Sequence, residues 1–246
     1  VDCVASIFPF EAEAYRKAGA NVTFVGHPLV DTVHPVMTEQ EAMTHFGARK
    51  EAKRILLMPG SRKNEVRDLL PVMLKAGKQL MKMADCQFFM PRAETIPEEM
   101  LTSLIEQERD ISVTITEGHQ YDLMSICTAC IASSGTATLE TALMELPTVL
   151  VYKLAPVTWF LAKHLVHVKY AGLPNLLLNR EVTPELLQDA VTPEHIVEIA
   201  GAWITDETKR QQNIQELKEV RSKLGDSGAV RRTGELILNT ARIGKE

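Results

Sequence analysis

The chain has 246 residues, of which 45% are hydrophobic, 24% charged and 5% aromatic, and 27 Lys and Arg against 32 Asp and Glu give a formal net charge of −5. That length suits one large core or two smaller ones, and 13 Gly and 12 Pro scattered without a period exclude a collagen-like fibre. The mildly acidic balance argues against nucleic acid as the main partner, because neutralising a phosphate backbone needs a dense basic face.

The first residues, Val1 to Phe8, read as a buried strand without an initiator Met or the basic start of a signal peptide, so the chain is expected to continue something longer. Further strands are expected at Val22 to Val25, Arg54 to Met58, Gln87 to Met90, Ser112 to Ile115, Ala129 to Ala132 and Thr148 to Tyr152. Helical patterns fall between nearly all of them, at Glu11 to Ala18, Glu39 to Phe46, Glu65 to Met83, Pro97 to Gln107, Tyr121 to Ile126 and Ala137 to Glu145. This alternation predicts an α/β fold with a parallel, Rossmann-like sheet. After Tyr152 the pattern is helical throughout: Val157 to Val168, Pro184 to Asp189, Pro193 to Thr205, Glu207 to Leu224 and Gly228 to Ile243. Pro28 and Pro35 punctuate an apolar loop, and a domain junction is placed there. Residues 1–36 are read as the close of one unit, 37–190 as a second α/β unit and 191–246 as C-terminal helices.

No run reaches the roughly 20 apolar residues of a membrane-spanning helix, the most apolar region being broken by Lys153, Lys163 and Lys169. A soluble or peripheral protein is expected. Cys3, Cys86, Cys127 and Cys130 are too few and too unevenly spaced for a disulfide scaffold, which makes a reducing cytoplasm the simpler compartment. Cys127 and Cys130 form a C-x-x-C, but it ends a helix and enters a strand, the reverse of a redox site, and reads as two small buried side chains.

Two loops follow a strand and open a helix, where an open parallel sheet binds its ligand. The first is Pro59-Gly60-Ser61-Arg62-Lys63. Gly60 suits a tight turn, Ser61 can cap the helix, and Arg62 adds charge where N–H groups already attract anions. The second runs from Ser133 through Ser134, Gly135 and Thr136 to Glu140, with small residues and hydroxyls for a diphosphate and a carboxylate further along for ribose. Turn chemistry accounts for either loop alone; the two together fit a nucleotide diphosphate. No G-x-x-x-x-G-K-[ST], G-x-G or D-x-D occurs, which excludes a P-loop and the dinucleotide fingerprint and points to neutralisation by Arg, Lys and helix ends without a metal. His164 and His167 have no partner at ligand spacing. Their helix, with Trp159, Phe160 and Lys169, is either core or a face for lipid.

Phe8-Pro9-Phe10-Glu11, Val25-Gly26-His27-Pro28-Leu29, Met58-Pro59-Gly60-Ser61-Arg62, Ser134-Gly135-Thr136-Ala137-Thr138-Leu139-Glu140 and Leu173-Pro174-Asn175-Leu176-Leu177, in that order, resemble the signature of the lipid-A-disaccharide synthase family. The resemblance runs from Ile7 to about Gln188 and implies an inverting GT-B glycosyltransferase, a hexosyltransferase of lipopolysaccharide biosynthesis. UDP-2,3-diacylglucosamine would be the donor and 2,3-diacylglucosamine 1-phosphate the acceptor, with no metal or cofactor, at the cytoplasmic face of the inner membrane. A second copy of the chain is a candidate partner. Gly60, Ser61, Arg62, Ser134, Gly135, Thr136, Glu140 and Asn175 are the expected substrate contacts, with Arg62 and Asn175 nearest the chemistry. The family's N-terminal Gly-Glu-x-Ser-Gly-Asp motif has no match here. The general base and acceptor site are therefore expected elsewhere, and the chain alone is expected to bind donor without turnover. A UDP-sugar 2-epimerase and a non-catalytic nucleotide-sugar sensor remain as rivals.

Overall fold

The computed structural model describes residues 1–154 and 169–243. The expected helix from Val157 to Val168, with Trp159, Phe160, His164 and His167, lies outside the described residues. β1 (Val4–Ser6), α1 (Pro9–Lys17) and β2 (Val22–Phe24) form a small parallel β-α-β unit. The short α2 (Leu29–Thr32) and α3 (Glu39–His45) lead into the main body. Thr38 begins α3 with a capping box: its hydroxyl accepts from the Glu41 amide while the Glu41 carboxylate accepts from the Thr38 amide.

The main body alternates β3 (Lys53–Met58), α4 (Lys63–Leu80), β4 (Cys86–Pro91), α5 (Glu98–Gln107), β5 (Val113–Thr116), α6 (Gln120–Ile126), β6 (Ala129–Ser133), α7 (Thr136–Leu143) and β7 (Thr148–Tyr152). After α8 (Leu173–Leu178) comes β8 (Glu185–Leu187), followed by α9 (Pro193–Thr205), α10 (Glu207–Lys223) and α11 (Ala229–Ile243). The six strands of this body are all parallel, in the order β5-β4-β3-β6-β7-β8. Connections run outward from β3 on one side and from β6 on the other, so the order reverses between these two strands.

Period-two alternation gives the sheet two dry faces. Ile55, Leu57, Phe88, Met90 and Ile131 pack on one side with Leu70 and Met73 of α4 and with Ile196 and Trp203 of α9. Leu56, Phe89, Cys130 and Ala132 pack on the other with Leu123 and Met124 of α6 and with Ala42 and Phe46 around α3. Burial pushes the Cys127 thiol up to about 12 and the Cys130 thiol well above its ordinary value, so the C-x-x-C is packing and not a redox pair.

The C-terminal helices return to the first unit. Leu217, Val220 and Leu224 join Phe8, Val30 and Val33 in a third apolar cluster. The Leu224 carbonyl accepts from the His27 amide at 2.9 Å, and Arg232 Nε donates to the Val25 carbonyl at 2.8 Å. This approach explains Gly26, at φ +83°, where a Cβ would stand 2.7 Å from Arg232 Nη2. The 36–37 segment is fastened separately: buried Asp122 of α6 accepts from the amides of Val36 and Met37, each at 2.7 Å, and lies 3.2 Å from His119 Nδ1.

Two sequence expectations fail here. Strands do not stop at Tyr152, and Pro184 to Asp189 is not a helix: Glu185–Leu187 pairs with Leu150–Tyr152, and only Gln188–Ala190 turns as a 3-10 helix. Three residues are too few to show an alternation, and the edge of β7 decides their conformation. Asn175 sits in the first turn of a six-residue helix.

Candidate functional site: a cleft at the sheet reversal

The reversal between β3 and β6 leaves a crevice at the carboxyl ends of the strands, because the loops that follow them depart to opposite sides of the sheet. Met58 pairs with Ala132, so Gly60 to Arg62 and Ser134 to Thr136 emerge side by side. They line a cleft of about 330 Å3, completed by Glu65, Pro91, Arg92, Ala93 and Gln120. A neighbouring hollow of about 640 Å3 shares Arg62 and Glu65 and extends past Lys63 to Tyr152, Lys153, Leu154 and Gln188 at the ends of β7 and β8.

Two helices begin at the cleft, α4 after Arg62 and α7 after Gly135, and neither has a side-chain cap. Apart from the Thr138 amide, which donates to the Gly135 carbonyl at 3.2 Å, their first-turn amides are left free by the helix and carry the positive end of the helix dipole, an arrangement suited to an oxyanion. Gly60 takes φ +114°, and a Cβ there would meet Glu65 Oε2 at 2.5 Å. Only glycine fits, for conformation and for space. Around Gly135 a Cβ would meet nothing within 4 Å, so a ligand can approach its backbone.

The Arg62 side chain is 75% exposed, and its Nη1 donates to Glu65 Oε1 at 2.6 Å; the carboxylate raises the guanidinium pKa. Ser61 is positioned through its carbonyl, which accepts from the Thr95 hydroxyl at 2.6 Å. Thr136 and Gly135 are exposed and Ser134 half-buried. Glu140 lies behind this rim on α7 and is not part of the cleft lining. Its Oε1 accepts from the Tyr121 hydroxyl at 3.0 Å, and burial raises its carboxyl above the usual range.

Asn175 does not join the group. It is fully buried, and its amide is spent on its own surroundings: Nδ2 donates to the Thr183 carbonyl and to Glu185 Oε1, each at 2.7 Å, while Oδ1 accepts from the amides of Val182 at 2.7 Å and Thr183 at 2.9 Å. Four bonds exhaust the capacity of an asparagine side chain, so the expectation of a sugar or diphosphate contact is replaced by a positioning role. Among the described residues no group of three His, Cys, Asp or Glu could hold a metal ion, and no helix is long and apolar enough to cross a membrane.

A sequence model of lipid-A-disaccharide synthetase matches residues 1–239. The chain belongs to the lipid-A-disaccharide synthase family. It is 37% identical over 247 residues to the synthase of Geobacter sulfurreducens, covering 100% of this chain and 64% of that protein. It is 40% identical over 240 residues to the synthase of Trichlorobacter lovleyi, covering 97% and 62% respectively. This chain thus spans less than two thirds of the length of these synthases. Among solved structures it resembles an S. aureus MnaA–UDP co-structure, with a TM-score of 0.65 at 14% identity over 98% of this chain and 60% of that one. It also resembles the Methanocaldococcus jannaschii UDP-GlcNAc 2-epimerase in complex with UDP-GlcNAc and UDP, with a TM-score of 0.61 at 10% identity over 97% and 61%. At such identities the likeness shows the α/β fold with a parallel sheet alone.

Within this synthase-family chain the sequence reading passed over Arg92 and Gln120. Arg92 follows β4 and is fastened by Nε to Glu117 Oε1 at 2.8 Å, by Nη2 to the same carboxylate, and by Nη1 to the Ile96 carbonyl at 3.0 Å. The signal was present: Pro91-Arg92-Ala93 is another basic residue just past a strand end, the position that singled out Arg62.

Proposed function

We propose that this chain is the donor-binding half of a lipid-A-disaccharide synthase, which transfers the 2,3-diacylglucosaminyl group of UDP-2,3-diacylglucosamine to the 6-hydroxyl of 2,3-diacylglucosamine 1-phosphate and releases UDP. The observation that carries the reading is the cleft at the β3/β6 reversal, where two uncapped helix N-termini and Arg62 converge. The acceptor hydroxyl attacks the anomeric carbon opposite the nucleotide, and negative charge builds on the departing diphosphate. The amides of Gly135 and Thr136, the hydroxyls of Ser61, Ser134 and Thr136, and the Arg62 guanidinium stabilise that charge more than they stabilise the bound donor. Glu140 accepts from the ribose hydroxyls, exchanging its bond to Tyr121. No residue of this chain is assigned as the general base.

In this reading residues 1–36 belong with the acceptor-side unit, 37–190 bind the nucleotide sugar, and the helices of 191–246 brace one against the other. Both substrates are acylated, so the enzyme works at the surface of the inner membrane. The structural neighbours solved with UDP support a uridine diphosphate ligand. Calorimetric titration of UDP tests the assignment: Arg62→Ala should weaken binding about 10-fold, the low end for a charge-assisted bond because the side chain is exposed, and Arg62→Lys should restore it only partly. Equal affinity in all three proteins would remove Arg62 from the site.

A further inference from the structure

Among the described residues, four buried side-chain polar atoms have no hydrogen-bond partner: Thr116 Oγ1, Ser133 Oγ, Thr183 Oγ1 and Asn213 Oδ1. Of these residues only Ser133 lines the cleft. It is the last residue of β6 and is 4% exposed, and its hydroxyl oxygen lies 3.4 Å from the point a Cβ on Gly60 would occupy. The hydroxyl therefore faces the side of Gly60 that Glu65 Oε2 also faces, between the starts of α4 and α7. A buried hydroxyl left without a partner is costly.

We propose that Ser133 is a further ligand of the diphosphate, its hydroxyl donating to a phosphate oxygen seated over Gly60 beside the first-turn amides of α7. The inference rests on the donor-site reading above and adds a residue to it. The nearest competing group is the Glu65 carboxylate, whose Oε2 also faces Gly60. Arg62 already pairs with that carboxylate, so the pair is close to neutral and the amides set the sign of the local field. The partners differ in kind. Arg62 is exposed and adaptable, whereas Ser133 is held by the ladder to β7, where it pairs with Val151, so its donor is fixed before the ligand arrives.

The test uses Ser133→Ala and Ser133→Cys in the whole chain, titrated with UDP and with uridine, alongside Arg62→Ala. Cysteine preserves size and burial but is a poor donor, so both variants should bind UDP roughly 10-fold more weakly while uridine affinity stays unchanged. Thermal stability of Ser133→Ala should be equal to wild type or higher, since an unsatisfied hydroxyl is removed. UDP affinity unchanged in Ser133→Ala while Arg62→Ala is weakened overturns this inference and leaves the donor site standing. Equal losses for UDP and uridine, or wild-type affinity in Ser133→Cys, also overturn it by showing a packing effect. Failure of the wild-type chain to bind UDP overturns the donor-site reading itself, and this inference with it.

Discussion

Asn175→Ala separates a binding residue from a positioning one. The native amide satisfies two backbone amides, one carbonyl and one carboxylate oxygen in a fully buried setting, and the same Glu185 carboxylate also accepts from the amides of Ala171 and Gly172 at the start of α8. Asn175 and Glu185 together therefore tie α8 to the edge strand β8. Truncation to alanine strands the Val182 and Thr183 amides and removes a donor from Glu185. With each of the three neutral hydrogen bonds contributing about 0.5–1.5 kcal/mol net and the one to the charged group about 1.5–3, the loss comes to about 3–7.5 kcal/mol, a large part of the 5–15 kcal/mol that holds a typical domain. Differential scanning fluorimetry and urea denaturation should show a fall in Tm on the order of 10–20 °C. Asn175→Asp should also destabilise, since it replaces the donor to Glu185 with a second carboxylate. UDP affinity, measured well below the variant's Tm, should change little. A variant that kept wild-type stability and lost UDP binding would refute the reasoning and return Asn175 to the ligand.

Two further predictions concern pH. For Asp122, burial alone would raise the pKa, but the amides of Met37 and Val36 together with His119 outweigh it and hold the carboxyl below its ordinary value; its stabilisation is therefore present above about pH 3.9 and lost as pH falls through the lower folded value. Asp122→Asn should cost about 2–4 kcal/mol at pH 7 and progressively less below pH 4 in urea melts, and a deficit that did not shrink in acid would count against the carboxylate bonds. Glu140 has the opposite sign: its folded pKa is raised by burial, so its favourable contribution is complete below about pH 4.3 and lost as pH rises through the folded value. Glu140→Gln keeps an acceptor for Tyr121 and should gain Tm relative to wild type between pH 4 and 7, a gain that parallel curves would rule out.

How much of this was legible in the sequence depended on where the deciding interaction lay. Thr148–Tyr152 has the bounds read from the sequence, because an apolar β-branched run is a local signal. Glu185–Leu187 was misread, because its strand character comes from the β7 edge and not from its own residues. Leu-Pro-Asn reads as a ligand-contacting segment from the sequence, yet no sequence shows that the amide of Asn175 closes on Val182 and Thr183. The two glycine-containing loops were found for a sound reason, strand end followed by helix start. Their adjacency was not visible, since it depends on β3 pairing with β6 across two intervening strands.

That adjacency also orders the parts of the site by rigidity. The residues that carry both loops into the cleft, Leu56 and Leu57 on β3 and Ile131 and Ala132 on β6, are wholly buried, so the backbone amides at the loop bases are fixed by core packing. Arg62 stands beyond this frame with a mostly exposed side chain held by one carboxylate. Stabilising charge on a leaving group requires donors that need no reorganisation when the charge appears. If the cleft holds the donor as proposed, that demand falls on the amides of α7 and on the end of β6, and Arg62 adds charge that Glu65 must release in part. Substitutions at Gly135 should therefore act on turnover in the complete synthase more than on donor affinity, whereas Ser133 and Arg62 should affect both.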